Sequence, residues 1–476
     1  MKKHLLATLL ATMLFSGTAL AGQQAVAFEK LWTYSHAANP GQTSEIPAFD
    51  RRTNTLWVAG VVGVDVLDAD TGMLVEHIDT TAHGAINSVA IRDGLAAFAL
   101  EAPVDRRNPG KVVFYDTKSR QPRGEVEVGP LPDMLAFTHD GSKLLVANEG
   151  TPNAVADQPY AQPDPAGSVS IIDMATRTVT TAGFAGVPVN GTHARLNTGM
   201  DFEPEYIAVD HRDDRAYVTL QEANAVAVLD LETNEFTEVI GLGVKDFSLA
   251  DNGFGGNNFI DPNHKDGRIE LRPAAVKGFY QPDAIAVHHF RGKTYLVMAN
   301  EGDTREDDGD KKRASKLGVT GDLAELNIST VDSTATDLHT FGARSFSIRD
   351  TDGNLVYDSG SLLDAEAIAR GIYDDGRSDD KGVEPEGVAL LDIGGRTYAF
   401  VGLERTTKAA VAVFDITNPH RVGFIDMIVT DGDISPEGLA AYQQRGNFYL
   451  AIANEVSNTT TLYSLERERK HHDRNR

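Results

Sequence analysis

The sequence repeats one pattern along most of its length. Each copy has a proline, an acidic residue, an alternating apolar segment, a short turn, a second apolar segment and a terminal acidic residue. Five copies are clear, and they occupy 131–150, 203–222, 281–302, 384–404 and 435–455. Two weaker copies precede them, at 46–68 and 86–116. Short-strand units that cannot bury both faces alone are typical of β-propellers, in which each unit forms one blade.

The repeats therefore predict an all-β chain that forms a single β-propeller of seven blades over residues 22–465. A third apolar segment follows most copies, as at 226–230 and 411–415. Residues 30–35 are expected to supply the outer strand of the last blade and so close the ring. Residues 466–476 form a basic C-terminal tail, which we interpret as solvated.

The N-terminus has the pattern of a secretory signal peptide over residues 1–21. Lys2 and Lys3 precede a short apolar stretch, and a small-residue cleavage site follows at 19–21. The apolar stretch is too short to span a bilayer, and no later segment approaches the ~20 apolar residues that a spanning helix needs. The sequence predicts a periplasmic or secreted protein without a membrane span.

Composition narrows the possible functions. The chain has no cysteine, which excludes disulfides, thiolate zinc sites and a cysteine nucleophile. Its formal net charge of −25 repels phosphate backbones and argues against nucleic-acid binding. An acidic surface of this kind suits a partner that carries positive charge, such as a metal ion.

The acidic residues of the repeat should converge on one face. In a blade the first strand starts, and the second strand ends, at the same face of the disc. The acids after the prolines are Asp133, Glu205, Asp283, Glu386 and Glu437, and the terminal acids are Glu101, Glu149, Glu222, Glu301, Glu404 and Glu455. Blade one has Ala48 and Val61 at roughly these positions, so we expect the ring of carboxylates to be incomplete there.

Four segments are too long for hairpin loops, namely 150–168, 231–280, 302–340 and 357–383. All four are expected to rise from the carboxylate face, and long loops gathered on one face of a rigid scaffold usually carry function. A stretch at 346–360 is predicted to be a small hairpin on one of these insertions. The opposite face has tight turns, which we interpret as structural.

Clustered oxygen donors without cysteine or paired histidine favour hard cations, chiefly Ca²⁺. The candidate metal ligands are Glu149, Glu301, Asp303, Glu386, Glu404 and Glu455. The alternative is that these acids accept backbone N–H bonds and stabilise loops. A loop at 261–267 resembles a calcium-binding loop with one residue too many, and a simple Asx-turn is the favoured interpretation.

Four basic residues on the same face are candidates for binding phosphate or another anion: Arg305, Arg377, Lys381 and Arg405. A divalent metal together with arginine or lysine can neutralise a phosphate group. The alternative is that each cation pairs with a neighbouring carboxylate. No motif in the sequence identifies a nucleophile, so the catalytic residues are left unassigned.

Several long stretches of the sequence resemble the choice-of-anchor I family of secreted β-propeller proteins, and the repeats also resemble blades of the YVTN type. These stretches are 280–287, 299–306, 341–350, 376–389, 395–405 and 453–463. The family includes proteins described as atypical alkaline phosphatases and mesenchyme-specific cell-surface glycoproteins. The resemblance therefore implies export and a connection with calcium, phosphate or mineral, but it assigns no catalytic residue.

Two functions fit these observations. The first is an exported calcium-binding propeller with metal-dependent phosphoester hydrolase activity, in which Arg377 and Arg405 neutralise developing charge on a small phosphoester. The second is a non-catalytic envelope or extracellular module that binds mineral, glycan or another protein and uses calcium structurally.

Overall fold

The computed structural model describes residues 26–150, 165–196, 202–305 and 309–467. The predicted signal peptide, and all but the first two residues of the predicted basic tail, lie outside these ranges. The described chain begins with strand β1 (Val26–Ser35), which pairs with the last sheet.

The first three sheets follow in chain order. The first contains β2 (Ile46–Asp50), β3 (Thr55–Gly60), β4 (Gly63–Asp68) and β5 (Leu74–Asp79). The second contains β6 (Ile86–Arg92), β7 (Leu95–Leu100), β8 (Pro109–Asp116) and β9 (Pro122–Pro130). The third contains β10 (Pro132–Phe137), β11 (Lys143–Asn148), β12 (Ser168–Asp173) and β13 (Val179–Ala182).

The fourth and fifth sheets carry the insertions. The fourth contains β14 (Val189–Thr192), β15 (Pro204–Val209), β16 (Arg215–Leu220), β17 (Ala225–Asp230) and β18 (Glu235–Leu242). Strands β19 (Val244–Asp246) and β20 (Lys277–Phe279) form an insertion before β21 (Ile285–Phe290) and β22 (Lys293–Asn300). A second insertion contains β23 (Lys311–Arg313), β24 (Asn327–Ser329) and β25 (His339–Thr340). The fifth sheet then ends with β26 (Ser345–Asp350) and β27 (Leu355–Asp358).

The last two sheets follow the helix α1 (Leu362–Ala369). The sixth contains β28 (Pro385–Ile393), β29 (Arg396–Leu403), β30 (Ala409–Asp415) and β31 (Gly423–Thr430). The seventh contains β32 (Pro436–Gln444), β33 (Asn447–Asn454), β34 (Thr459–Arg467) and β1. Short 3₁₀ helices occupy His36–Ala38, Ala314–Leu317, Gly321–Glu325 and Asp375–Arg377. In the part of the chain that the structure describes, no helix is long and apolar enough to cross a membrane.

The innermost strands form a closed ring. Each of β2, β6, β10, β15, β21, β28 and β32 contacts the next, and β32 contacts β2 again. In each of these sheets the innermost strand pairs antiparallel with the strand that follows it in the chain. The described residues form seven sheets of four or five strands, and this architecture confirms the predicted all-β propeller.

Closure of the ring depends on β1. It runs antiparallel to β34 from Val26 opposite Arg467 to Ser35 opposite Thr459, as predicted for residues 30–35. Directly after β1, the buried ring of His36 lies 2.7 Å from Asp65 Oδ2 through Nδ1 and 2.8 Å from Thr460 Oγ1 through Nε2. This side chain therefore joins β1 to the first and the last sheets.

The second strand of each blade is buried along nearly its whole length, which explains why it has continuous apolar residues instead of alternating ones. In β7, for example, Ala96, Phe98 and Leu100 all have 0% exposure. Phe98 stacks on Tyr115 with ring centroids 4.7 Å apart, and it also contacts Trp57 of the preceding blade. Apolar side chains of neighbouring blades therefore share one core.

Two insertions pack on each other and form a small unit with its own apolar core. β20 pairs in parallel with β25, and Phe247, Ile260 and Leu326 are buried between the segments. The hairpin predicted at 346–360 is present, but its placement on an insertion is wrong, because β26 and β27 are the third and fourth strands of blade five. The interpretation failed because the preceding insertion separates these strands from β21 and β22.

We expect Phe98→Ala to lower the free energy of unfolding by about 3–5 kcal/mol, because it leaves a cavity between two blades. Denaturant unfolding followed by circular dichroism would measure the change. Val104→Ala is the control, because Val104 is 97% exposed, and its effect should stay within about 0.5 kcal/mol. Equal effects of the two substitutions would contradict shared packing between the blades.

Candidate metal centre

The backbone is strained next to the proline of several repeats, on the carboxylate face. The residue before it has a positive φ in four blades: 46° at Leu131, 42° at Gln281, 51° at Glu384 and 63° at Ser435. Residues before proline favour extended backbone, so this conformation costs energy. Its carbonyl oxygen accepts the N–H at the end of the second strand, as for Glu149 on Leu131, Glu404 on Glu384 and Glu455 on Ser435, at 2.8–2.9 Å.

A β-bulge follows the proline in the third, fourth, sixth and seventh blades. The strand register shifts between Pro132 and Leu135, Pro204 and Ile207, Pro385 and Val388, and Pro436 and Leu439. The acidic residue is the first residue of each bulge. Because a bulge changes the direction of a side chain relative to the sheet, it separates these acids from the apolar contacts between blades.

The carboxylates lie close enough to affect each other's ionisation. Burial, and then the charges of Glu437 and Glu404, raise the pKa of Glu386 well above its usual value. Burial, and then Glu404 and Glu455, raise the pKa of Glu437 in the same way. The pKa of Asp283 is raised by burial and then by Glu301. Acids from the fifth, sixth and seventh blades therefore share one electrostatic environment.

Blade one also contributes a carboxylate, and the expectation of an incomplete ring there is wrong. Glu45 lies directly before β2, and its backbone N–H donates to the carbonyl oxygen of Ala59 at 3.0 Å. Burial, and then the charges of Glu455 and Glu101, raise the pKa of Glu45 to about 7, although a hydrogen bond from Thr43 lowers it. The repeat pattern did not reveal Glu45. This residue lies two positions before the proline of its strand, whereas the acids of the pattern follow the proline.

The structure brings together two groups of three carboxylates that could hold a metal ion. They are Glu301, Glu386 and Glu404, and Glu404, Glu437 and Glu455, with one oxygen of each residue within 4.8 Å of the others. Glu404 belongs to both groups. The buried Oε2 atom of Glu386 has no hydrogen-bond partner in the described parts of the chain. We call these five residues the glutamate cluster.

Four of the six candidate ligands thus belong to the glutamate cluster, and Glu437 is added to them. Glu149 lies elsewhere in the ring, where burial and then its charge raise the pKa values of Asp133 and Glu205. The side chain of Asp303 is 51% exposed and lies 3.7 Å from Lys381 Nζ. The role of all six candidates as metal ligands stays a prediction.

The candidate anion-binding residues contact carboxylates, mainly that of Glu384. This fully buried residue accepts a hydrogen bond from Arg377 Nε at 2.7 Å, and its other oxygen lies 2.9 Å from Lys381 Nζ. Arg405 Nε is 3.9 Å from the same oxygen. Sequence reasoning overlooked Glu384, although it precedes the proline of the sixth blade. Its position agrees with the alternative interpretation of these cations as partners of carboxylates.

Lys381 and Arg405 connect Glu384 to the glutamate cluster. Lys381 Nζ lies 2.7 Å from Glu301 Oε1, and Arg405 Nη2 lies 2.8 Å from Glu404 Oε1. Burial alone would lower the pKa of Lys381, but Glu301, Asp303 and Glu384 raise it well above its usual value. Burial raises the pKa of Glu301 to about 8, although Lys381 opposes the shift.

The remaining candidates lie apart from this arrangement. The buried Arg305 has its Nη2 atom 3.8 Å from Glu203 Oε1, near the fourth blade. In the loop at 261–267, Asp261 accepts the backbone N–H of Asn263 at 3.3 Å, and Arg272 donates to Asp266 at 2.9 Å. These contacts agree with an Asx-turn held by an arginine.

The fold has counterparts among solved structures. A chain of hydrazine synthase from Kuenenia stuttgartiensis has a TM-score of 0.52 and 12% identity, and the match covers 89% of this chain and 96% of that chain. A chain of a mitotic checkpoint complex also has a TM-score of 0.52, with 10% identity and coverage of 92% and 94%. The β-propeller domain of Cps50 (Swd1) from Myceliophteria thermophila has a TM-score of 0.47, with 10% identity and coverage of 92% and 99%. At these identities the two matches with a TM-score of 0.52 show the fold alone.

No curated protein matches the sequence. The model of the choice-of-anchor I domain, however, matches residues 45–419. This range includes all of blades one to five and three of the five members of the glutamate cluster, namely Glu301, Glu386 and Glu404. Since this match covers far more than half of the sequence, the protein belongs to the choice-of-anchor I family.

Proposed function

We propose that this protein is an exported propeller that binds calcium at the glutamate cluster. Choice-of-anchor domains are typical of exported proteins, in agreement with the predicted signal peptide. The observation that carries the proposal is the presence of two groups of three carboxylates that share Glu404.

The electrostatics of the glutamate cluster favour a bound cation. Buried carboxylates at this spacing repel each other unless protons or positive charges compensate them. Lys381 and Arg405 compensate part of the charge, and the raised pKa values of Glu301, Glu386 and Glu437 show that protons would compensate more of it. A divalent cation can take the place of those protons.

The donor atoms suit calcium in particular. Both groups consist of glutamates only, and Ca²⁺ takes six to eight oxygen ligands from carboxylates, carbonyls and water. The unpartnered Oε2 atom of Glu386 is a free oxygen donor of this kind. Glu301, Glu386, Glu404, Glu437 and Glu455 would hold the ion, which would supply a positive centre able to bind an anionic ligand.

A second candidate function is metal-dependent phosphoester hydrolysis, and the position of Arg405 favours it. Its side chain is 42% exposed while it contacts Glu404, so it can reach both solvent and the glutamate cluster. A guanidinium there can orient a phosphate group and neutralise its charge. Without this activity, the protein is a binding module for mineral, glycan or an envelope protein.

We expect Glu404→Gln to weaken calcium binding by at least about tenfold, because it removes a carboxylate from both groups. Even the loss of a residue that only hydrogen-bonds to a metal ligand lowers metal affinity by about 10–100-fold. Isothermal titration calorimetry on the chelator-treated protein would measure the affinity. Glu232→Gln is the control, because Glu232 is exposed in the turn between β17 and β18. Absence of calcium binding by the wild-type protein would overturn the proposal.

The melting temperature in chelator should fall as pH rises from about 4.5 to about 8. In this range the folded protein binds more protons than the unfolded chain, since Glu301 and Glu45 have pKa values of about 8 and about 7 when folded. Their unfolded values are near 4.3, so the free energy of unfolding decreases with pH. Excess Ca²⁺ should reduce the fall. A rise of the melting temperature across this range in chelator would contradict the pKa directions.

If the glutamate cluster hydrolyses phosphoesters, Arg405→Gln should lower kcat/KM by about 100-fold, the usual cost of removing one preorganised donor. Release of nitrophenol from p-nitrophenyl phosphate, with Ca²⁺ and with chelator, would measure the rate. Arg421→Gln is the control, because Arg421 is exposed in the turn between β30 and β31. Calcium binding without turnover would refute the hydrolase and leave the binding module.

A further inference from the structure

A groove lined by arginines lies on the face opposite the carboxylates. The turns between the first and second strands of blades one, two and seven meet there. Arg51, Arg52 and Arg92 line a cavity of about 610 Å³, and Arg51 and Arg445 line a neighbouring cavity of about 280 Å³. We call the four arginines and these two cavities the basal groove.

Among the described residues, Arg51 and Arg52 have no acidic partner. The protein has 69 acidic and 44 basic residues, so an arginine has many possible partners. Within the described ranges, however, no salt bridge joins Arg51 or Arg52 to a carboxylate within 4.0 Å. To the described residues, their guanidinium groups donate long hydrogen bonds to carbonyl oxygens, at 3.4 Å for Arg51 on Gln443 and 3.5 Å for Arg52 on Asp93.

The two carboxylates that line the larger cavity do not neutralise the charges of Arg51 and Arg52. Asp50 accepts the backbone N–H groups of Arg52 and Thr53, both at 3.1 Å, and so stabilises its own turn. The side chain of Asp93 is 88% exposed and lies 3.6 Å from Arg92 Nε. The guanidinium donors of Arg51 and Arg52 therefore remain open to a ligand.

The side chains of Arg52 and Arg92 lie against glycines of the next blade. Gly94 has a φ of 83°, and a Cβ atom there would overlap the guanidinium group of Arg52. Gly141 has a φ of 72°, and a Cβ atom there would lie 2.7 Å from Arg92 Nε. Each of these guanidinium groups thus lies against the turn of the following blade.

We propose that the basal groove binds a small phosphate ester that has an apolar body. Arg51, Arg52 and Arg92 line one cavity, and guanidinium groups can bind the oxygens of a phosphate dianion through paired hydrogen bonds. The half-buried Phe49 and Ile91 supply an apolar wall in the same cavity. Its volume lies within the roughly 300–1,000 Å³ that is usual for small-molecule sites. This site is separate from the glutamate cluster and needs no metal.

Calorimetric titration with phenyl phosphate tests the proposal. The titration is done in chelator and at low salt, so that a metal at the glutamate cluster cannot bind the ligand. We expect saturable binding by the wild-type protein and at least about tenfold weaker binding after the double substitution Arg51→Gln and Arg52→Gln, because both charged donors are lost. Both side chains are exposed, so the variant should keep the wild-type melting temperature.

Two comparisons make the test specific. Arg291→Gln changes an exposed arginine in the corresponding turn of blade five, and its affinity for phenyl phosphate should equal that of the wild type. Benzoate has the same ring with a single charge, and it should bind more weakly. The proposal is overturned by lack of binding, by unchanged affinity in the double variant or by benzoate that binds as tightly. None of these outcomes bears on calcium binding at the glutamate cluster.

Discussion

The hydrogen bonds between β1 and β34 are the interaction on which the other blades depend. A blade buries its faces only against its neighbours, so an open ring would expose two apolar faces at once. The pairing of the two strands closes the ring, and His36 adds contacts to Asp65 and Thr460 on either side of the closure. Because the chain has no disulfide, these non-covalent contacts must hold the ends together.

The closed ring makes a concentration of negative charge possible. Each blade places its acids at the same end of its strands, and the apolar cores between blades hold them there despite their repulsion. The residues before the prolines have strained, positive φ angles. The backbone geometry that places the acids therefore also costs free energy. Lys381 and Arg405 compensate the charge where the carboxylates are closest.

The sequence was sufficient to predict the fold and the face that carries the acids, because both follow from a pattern of prolines, apolar strands and acids. It was not sufficient where a contact joins residues that are remote in the chain or break the pattern. Glu45 was missed because it precedes its proline, and Glu384 because its partners come from an insertion and the next strand. The spacing within the glutamate cluster depends on β-bulges, which leave no clear signal in the sequence.

The position of Glu404 in both groups of carboxylates has a thermodynamic consequence. An ion held by one group would draw on the same carboxylate that the other group needs, and two divalent ions this close would repel each other. The two positions are therefore linked, and occupation of one changes the affinity of the other. Such a centre would fill in two unequal steps, and its response to calcium would extend over a wider range of concentration than that of a single site.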